Sequence, residues 1–549
     1  MRVPEAPGFG GMTANGSAAM KTGCIYLFVL SCLLLAVPEP GFALVLEEDT
    51  VWRGRVRVAE EVRVAPRATL LIEPGARIEF APAETGNEQA PARLKVLGKL
   101  IAQGTEEAPI LFTSAAERPA PGDWGGLVFE NPEATAISRL RHCRVEFAET
   151  AIDGGLGKLV VEDVELSRNR LALCARKKFA GGMFNGTLLD NDNGCRFLQN
   201  SLFALENCRI VRSLQDGIRC DRNSSPAIGN CAIVAGGAAG IRCLSGSSPR
   251  IEGCLIEGNQ TGLHAEMKSD PQVRDSDILD NGTGVHAEKL VAPLLLGCRL
   301  LGNGTGLFCN LSASPRLRGC YLDDNRNFAV VVGDKQSRVV DALLPDAGER
   351  RQRRRQSAED TSANGAERMF AEGGEILIDL RDNWWGNGAT ERMRALGGPG
   401  NLELFDDGHD RPEVEYQGRR YPRDRVLYIP WLESAPREVG RPRKGYAGIS
   451  GRAEVAGVPL GGARVHAFRD GGEDLRGEGF SFSAPTAADG TFSLHLAPGR
   501  YWLALKKTRE GLPQAVPEAG DIFIPRADNP VTVAPGAVTE IFFRGGGHP

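Results

Sequence analysis

The stretch IEGCLIEGNQTGLHAE (Ile251–Glu266) returns as LLLGCRLLGNGTGLFC (Leu294–Cys309), with Cys254 and Cys298 44 residues apart. Each copy has a cysteine, an aliphatic residue two positions on, an asparagine three further, and then a glycine–aliphatic pair. The same alignment extends through Cys143, Val164, Gly186, Cys208, Cys231, Cys254, Ser276, Cys298 and Cys320, in steps of 21–23 residues. Two positions after this column an aliphatic residue stands in every copy, from Val145 to Leu322. Three positions before it stands another apolar column, from Leu140 to Leu317. A unit of about 22 residues is too short for the paired-helix repeats, which need about 34. Apolar and polar residues alternate within the unit, the periodicity of a strand, and Gly, Asn and Ser-Pro punctuate it. One such unit cannot bury its apolar side. Stacked as coils about 4.8 Å apart, the units bury it against each other. The expected fold class is all-β: a parallel β-solenoid with about 22 residues per coil.

Other columns agree. Asn169, Asn191, Asn259, Asn281, Asn303 and Asn325 fall five residues after the key column. Asparagine there turns the chain and can bond to its equivalent in the next coil, making a ladder. Gly262, Gly284 and Gly306 are expected to supply permissive turn backbone. Together with ATLLIEPGARIEF (Ala68–Phe80), LKVLGKLIAQGTEEAPILFTS (Leu94–Ser114), GDWGGLVF (Gly122–Phe129), DNWWGN (Asp382–Asn387) and VLYIPWL (Val426–Leu432), these columns resemble the right-handed parallel β-helix proteins of pectate-lyase-like fold, of exported bacterial type. The resemblance covers roughly residues 45–435. Trp384, Trp385 and Trp431 are expected to cover the open apolar end of the solenoid.

Domain boundaries follow from where the period stops. Residues 1–43 read as a signal peptide: Lys21, an apolar core, then Pro-Glu-Pro and Gly-Phe-Ala. The alternative there is a lipoprotein acylated at Cys32. Translation starting at Met12 or Met20 would account for the polar residues before Met20. No later stretch of 18 apolar residues suggests a second membrane-spanning helix. The solenoid is expected over 44–435, with a charged insertion at 335–374 that includes five arginines between Arg350 and Arg355. That insertion reads as solvated and aperiodic, or as a basic arm for anionic glycan or headgroups. A Pro/Arg/Gly linker fills 436–445. Residues 446–549 change to short strands joined by Gly-Gly, Asp-Gly and Pro-Gly turns, the pattern of a small Ig-like or prealbumin-like β-sandwich. GVPLGGARVHAF and DGTFSLHLAPGRYWLAL resemble the carboxypeptidase regulatory-like domain, which implies an accessory rather than a catalytic role.

A formal net charge of −5 gives no reason to expect a nucleic-acid partner. Cysteines in successive coils form a straight row, which cannot converge tetrahedrally on an ion, and no CxxC pair occurs. No metal or other cofactor is expected. The row also accepts valine, glycine and serine, so Cys143, Cys208, Cys231, Cys254, Cys298 and Cys320 read as small buried fillers, with oxidation of one or two adjacent pairs as the alternative. The residues left for function point outward. Arg219, Arg242, His264 and His286 share one column, with Phe308 next, and Glu266 and Glu288 flank the histidines. This strip suits an acidic sugar or acid–base chemistry; the plainer alternative is a solvated sheet with cross-strand charge pairs. The acidic and basic motifs of pectin-hydrolysing relatives are absent, and no stacked calcium-binding carboxylates align. The expectation is an exported protein, periplasmic, extracellular or at the cell surface. It binds polysaccharide or another extracellular polymer on the solenoid flank without catalysis. The alternatives are a lyase, hydrolase or epimerase acting on acidic polysaccharide, and a structural or adhesive surface protein. The sequence does not address oligomeric state.

Overall fold

A computed structural model of the chain describes residues 44–83, 91–131, 137–334, 369–370, 376–416, 418–436, 448–468, 475–476, 481–483, 486–496, 499–509, 516–534 and 538–545. The expected signal peptide, nearly all of the charged insertion and most of the linker lie outside these residues. From Leu44 onward three short strands make each coil, and three parallel sheets of 14, 12 and 11 strands run the length of the solenoid. The coil at the opening motif shows the pattern. Leu255–Glu257 lies in the third sheet, Thr261–Glu266 in the first and Gln272–Arg274 in the second. Pairing stays in register: Ile256 meets Ile233 and Ile278, and Leu263 meets Ile241 and Val285. Identical inward positions therefore stack into one continuous core from Val58 to Tyr428. A fully buried aliphatic side chain contributes ~1.5–3 kcal/mol, so each added coil stabilises its neighbours.

The asparagines sit where the third sheet turns into the first. Asn281 Oδ1 accepts the backbone N–H of Asn259 at 2.9 Å, and its Nδ2 donates to Ile256 O and to Asn303 Oδ1, both at 3.1 Å. Asn169 bonds Asn191 in the same way, and Asn303 bonds Asn325. Between Asn191 and Asn259 the column holds Ser213 and Gly236, so the ladder has two runs; Gly236 N–H still donates to Asn259 Oδ1 at 2.9 Å. A second ladder of buried serines, Ser201, Ser224, Ser247 and Ser269, passes backbone N–H to hydroxyl from coil to coil. The glycines differ from expectation. Gly262, Gly284 and Gly306 do not have positive φ; a Cβ on any of them would lie 2.6 Å from the next coil's carbonyl oxygen. Close approach of coils, not turn freedom, requires glycine there.

At the far end Trp385 meets Phe405 edge-on, with Tyr428 and Trp431 beyond, closing the interior. Trp384 lies elsewhere: it packs on Tyr321 and continues the outer face of the third sheet. The helix Asn387–Leu396 follows, with Met393 buried. The C-terminal region builds two sheets, one around Gly448–Val455 and one around Gly499–Lys507, sharing a core of Ile449, Val465, Phe492, Leu503 and Phe543. This region contacts the solenoid. On the outer face of the third sheet, Leu189, Val211, Val234, Glu257, Leu279 and Leu301 form one row. Glu257, the one charge in this apolar row, is 2% exposed, and Arg464 of the C-terminal region, 4% exposed, donates Nη1–H to it at 2.8 Å.

Candidate functional site

The outer face of the first sheet carries the polar side chains. Strand register aligns Asp153, Cys174, Arg196, Arg219, Arg242, His264, His286, Phe308, Val331 and Asp406 in a single row across successive coils. The row arises because alternate residues of a strand face opposite sides: His264 and His286 point out, while Leu263, Ala265, Val285 and Ala287 fill the core. Glu266 pairs with Glu288 in the next outward column. All six strip residues expected from the sequence thus lie together on one face.

They are less solvated than a free sheet surface. The imidazoles of His264 and His286 stack 4.5 Å apart, and Phe308 meets His286 edge-on at 4.7 Å. Arg242 is held by Asp216 at 2.9 Å and points Nη1 at His264 Nδ1, also at 2.9 Å. Lys289 bonds Glu266 at 2.6 Å and approaches Glu288 at 3.1 Å. Burial, reinforced by the nearby charges of His286 and Arg242, lowers His264 to about 4, so it is neutral at pH 7. Burial also lowers His286, against the pull of Glu288 and Glu266. Burial works to raise Glu266, but its bonds to Lys289 and Glu288 outweigh it and hold the carboxyl low. Arg219 reaches Asp221 at 3.4 Å, whereas Arg196 has no carboxylate partner among the described residues.

A second cluster on the same face escaped sequence reading. Arg176 bridges Asp153 and Glu130, and Lys95 pairs with Glu130 at 3.0 Å. Burial raises the Asp153 carboxyl despite Arg176. Cys174 lies between Asp153 and Arg196 in the outward row, its thiol pushed up to about 11, chiefly by burial. The coil alignment already placed Asp153 three repeats and Arg196 one repeat from Arg219, so extending the outward column was the available signal. Asp216 and Lys289 come from turns, where the repeat carries no information.

The cysteine column faces inward. All eleven described cysteines are free and buried, and burial holds the Cys143 thiol at about 12. In the Asp-Asp-Gly-His-Asp turn, Asp407 is fully buried and accepts backbone N–H from His409 and Val426, both at 2.7 Å. Arg423, equally buried, bonds Asp406 at 2.7 Å. These groups brace the closing segment.

With the coils and their outer face in view, the family comparisons agree on the architecture. The family described as "Right handed beta helix region" matches residues 127–278 and 250–342, and "Pectate-lyase like beta helix domain" matches residues 44–149. The chain is a right-handed parallel β-helix protein. No curated protein is significantly similar to it in sequence. Among solved structures, a mutant of the periplasmic alginate epimerase AlgG is 12% identical over 52% of this chain and 76% of its own, with a TM-score of 0.37. The A-modules of the Azotobacter vinelandii mannuronan C-5 epimerases AlgE4 and AlgE6 are each 15% identical over 51% of this chain. They are covered to 85% and 84%, with TM-scores of 0.28 and 0.25. No described helix is long and apolar enough to cross a membrane.

Proposed function

We propose that this chain is an exported protein that binds an extended acidic polysaccharide along the outer face of its first sheet. The observation that carries the reading is the row Arg196, Arg219, Arg242, His264, His286 and Phe308, one side chain per coil. At about 4.8 Å per coil the row is a line rather than a pocket, and a line suits a polymer gripped by successive coils. Arg196 offers an uncompensated cation to an acidic group, and Phe308 an apolar face at the end of the cationic run. The C-terminal region acts as an accessory domain of carboxypeptidase regulatory-like type, seated on the third sheet away from the strip.

One observation favours a second reading, a polysaccharide-modifying enzyme. Neutral His264 and His286 lie beside Glu288 and Arg242, and Asp153 has a raised carboxyl beside Arg176. A cation that neutralises a uronate carboxylate next to an acid–base group is what proton abstraction beside that carboxylate needs. Incubating the full chain with a panel of neutral and acidic polysaccharides separates the two readings. Retention on acidic polymers, weakened in Arg196→Gln and Arg219→Gln, with no product, is expected. Unsaturated or inverted sugar residues would overturn the non-catalytic reading, and absence of both retention and product on every polymer would overturn both.

A further inference from the structure

We propose that His264, His286 and Glu288 form a binding site for a divalent transition-metal cation, with zinc the best match to the donor set. Their ligating atoms all lie within 4.8 Å of one another. Glu288 Oε1 is 3.9 Å from His264 Nε2, and Oε2 is 3.8 Å from His286 Nε2. Those separations are too long for hydrogen bonds. Both Nε2 atoms are buried and have no hydrogen-bond partner. Two unsatisfied buried nitrogens facing one carboxylate are an unfavourable arrangement that a shared cation relieves. An ion centred among three such atoms sits within about 2.8 Å of each, against ~2.0–2.2 Å for zinc–nitrogen and zinc–oxygen bonds. Rotation of the His286 and Glu288 side chains, 27% and 17% exposed, would close the difference.

The objection that a column cannot converge applies to the cysteines but not here. Two donors, His264 and His286, are register partners in adjacent coils, while Glu288 stands two residues beyond His286 in the next outward column. The three therefore form a triangle. Two imidazoles and a carboxylate suit zinc, copper or nickel rather than calcium or magnesium. Three protein donors leave a fourth coordination position for water or for an oxygen of a bound ligand.

Arg242 makes the proposal sharply testable. A guanidinium can only donate, so its bond to His264 Nδ1 requires the ring proton to sit on Nε2. Metal at Nε2 moves that proton to Nδ1 and displaces Arg242. Arg242 therefore opposes loading, as does Lys289 at Glu288. Replacing Arg242 by glutamine removes the cation and supplies an amide oxygen to accept Nδ1–H, the usual support for a ligating histidine.

The site does not rest on the polysaccharide reading, and its test needs no glycan. The untagged full chain is titrated with Zn²⁺ by calorimetry and with Co²⁺ by visible absorption. Binding of one ion per chain is expected, weakened about tenfold or more in His286→Gln and in Glu288→Gln and tightened in Arg242→Gln. His142→Gln, away from the strip, should bind as the parent does. His286 is the more exposed ring, so His286→Gln serves as the main variant if His264→Gln fails to fold. No binding at millimolar Zn²⁺, or equal affinity in parent and His286→Gln, would overturn the proposal. So would tightening by Arg242→Gln that persists when His286 is also replaced.

Discussion

Glu257 and Arg464 define the contact between the solenoid and the C-terminal region, and their removal has a calculable effect. Arg464 Nη1 donates to Glu257 Oε2 at 2.8 Å and to Ser483 O at 3.1 Å. Burial lowers Arg464 to about 9, so it stays charged at neutral pH and cannot escape by losing its proton. Glu257→Ala thus leaves a buried guanidinium with only the half-exposed Asp280, 3.9 Å away, as a carboxylate neighbour. Breaking one partner of a buried pair costs ~3–5 kcal/mol. Replacing both is different: the row neighbours Val234 and Leu279 are apolar and already form a buried cluster with Leu255. Glu257→Leu combined with Arg464→Met should therefore be neutral or stabilising, by up to ~4 kcal/mol. Hydrogen exchange at Arg464–Phe468, read by mass spectrometry, reports undocking. At ~1.4 kcal/mol per factor of ten, Glu257→Ala should speed exchange there by about two to three orders of magnitude. The double variant should exchange at or below the parent rate. An effect of Glu257→Ala below about 1 kcal/mol, or a double variant as fast as the single, would refute the buried-clamp reasoning.

Asn281→Ala should destabilise the central coils by ~1–3 kcal/mol, because it orphans the buried Asn259 N–H. Faster exchange should be confined to adjacent coils, as expected of a nearest-neighbour solenoid. Asp379, tied to Arg381 and Arg318, has a carboxyl that burial would raise but these bonds bring down to about 2. A folded pKa below the unfolded ~3.9 stabilises fully above the latter and fades as pH falls toward 2. Asp379→Asn should cost about 2 kcal/mol at pH 7 and abolish acid loosening of the closing segment between pH 4 and 2, followed by exchange at Ile376–Asp379.

The solenoid was legible because stacking makes sequence period and spatial row the same thing. Once coils align, the column Cys143 to Cys320 must face one side and His264 and His286 the other, and the register does exactly as a 22-residue repeat demands. The Asn ladder was legible for the same reason. Wherever a contact leaves the repeat, the sequence was silent. Asp216 and Lys289 reach the strip from turns, Arg176 joins Glu130 from two coils away, and Trp384 turns outward onto Tyr321 while Trp385 turns in. The sequence by itself thus determined the β-solenoid, its inward columns and its outward row, since each depends only on period and alternation. Only the tertiary structure decided that His264 and His286 are partly buried and shifted toward the neutral form, that Glu288 completes a triangle with them, and that Glu257 is buried under Arg464. Those outcomes depend on desolvation and on partners hundreds of residues or a turn away, which no periodicity encodes.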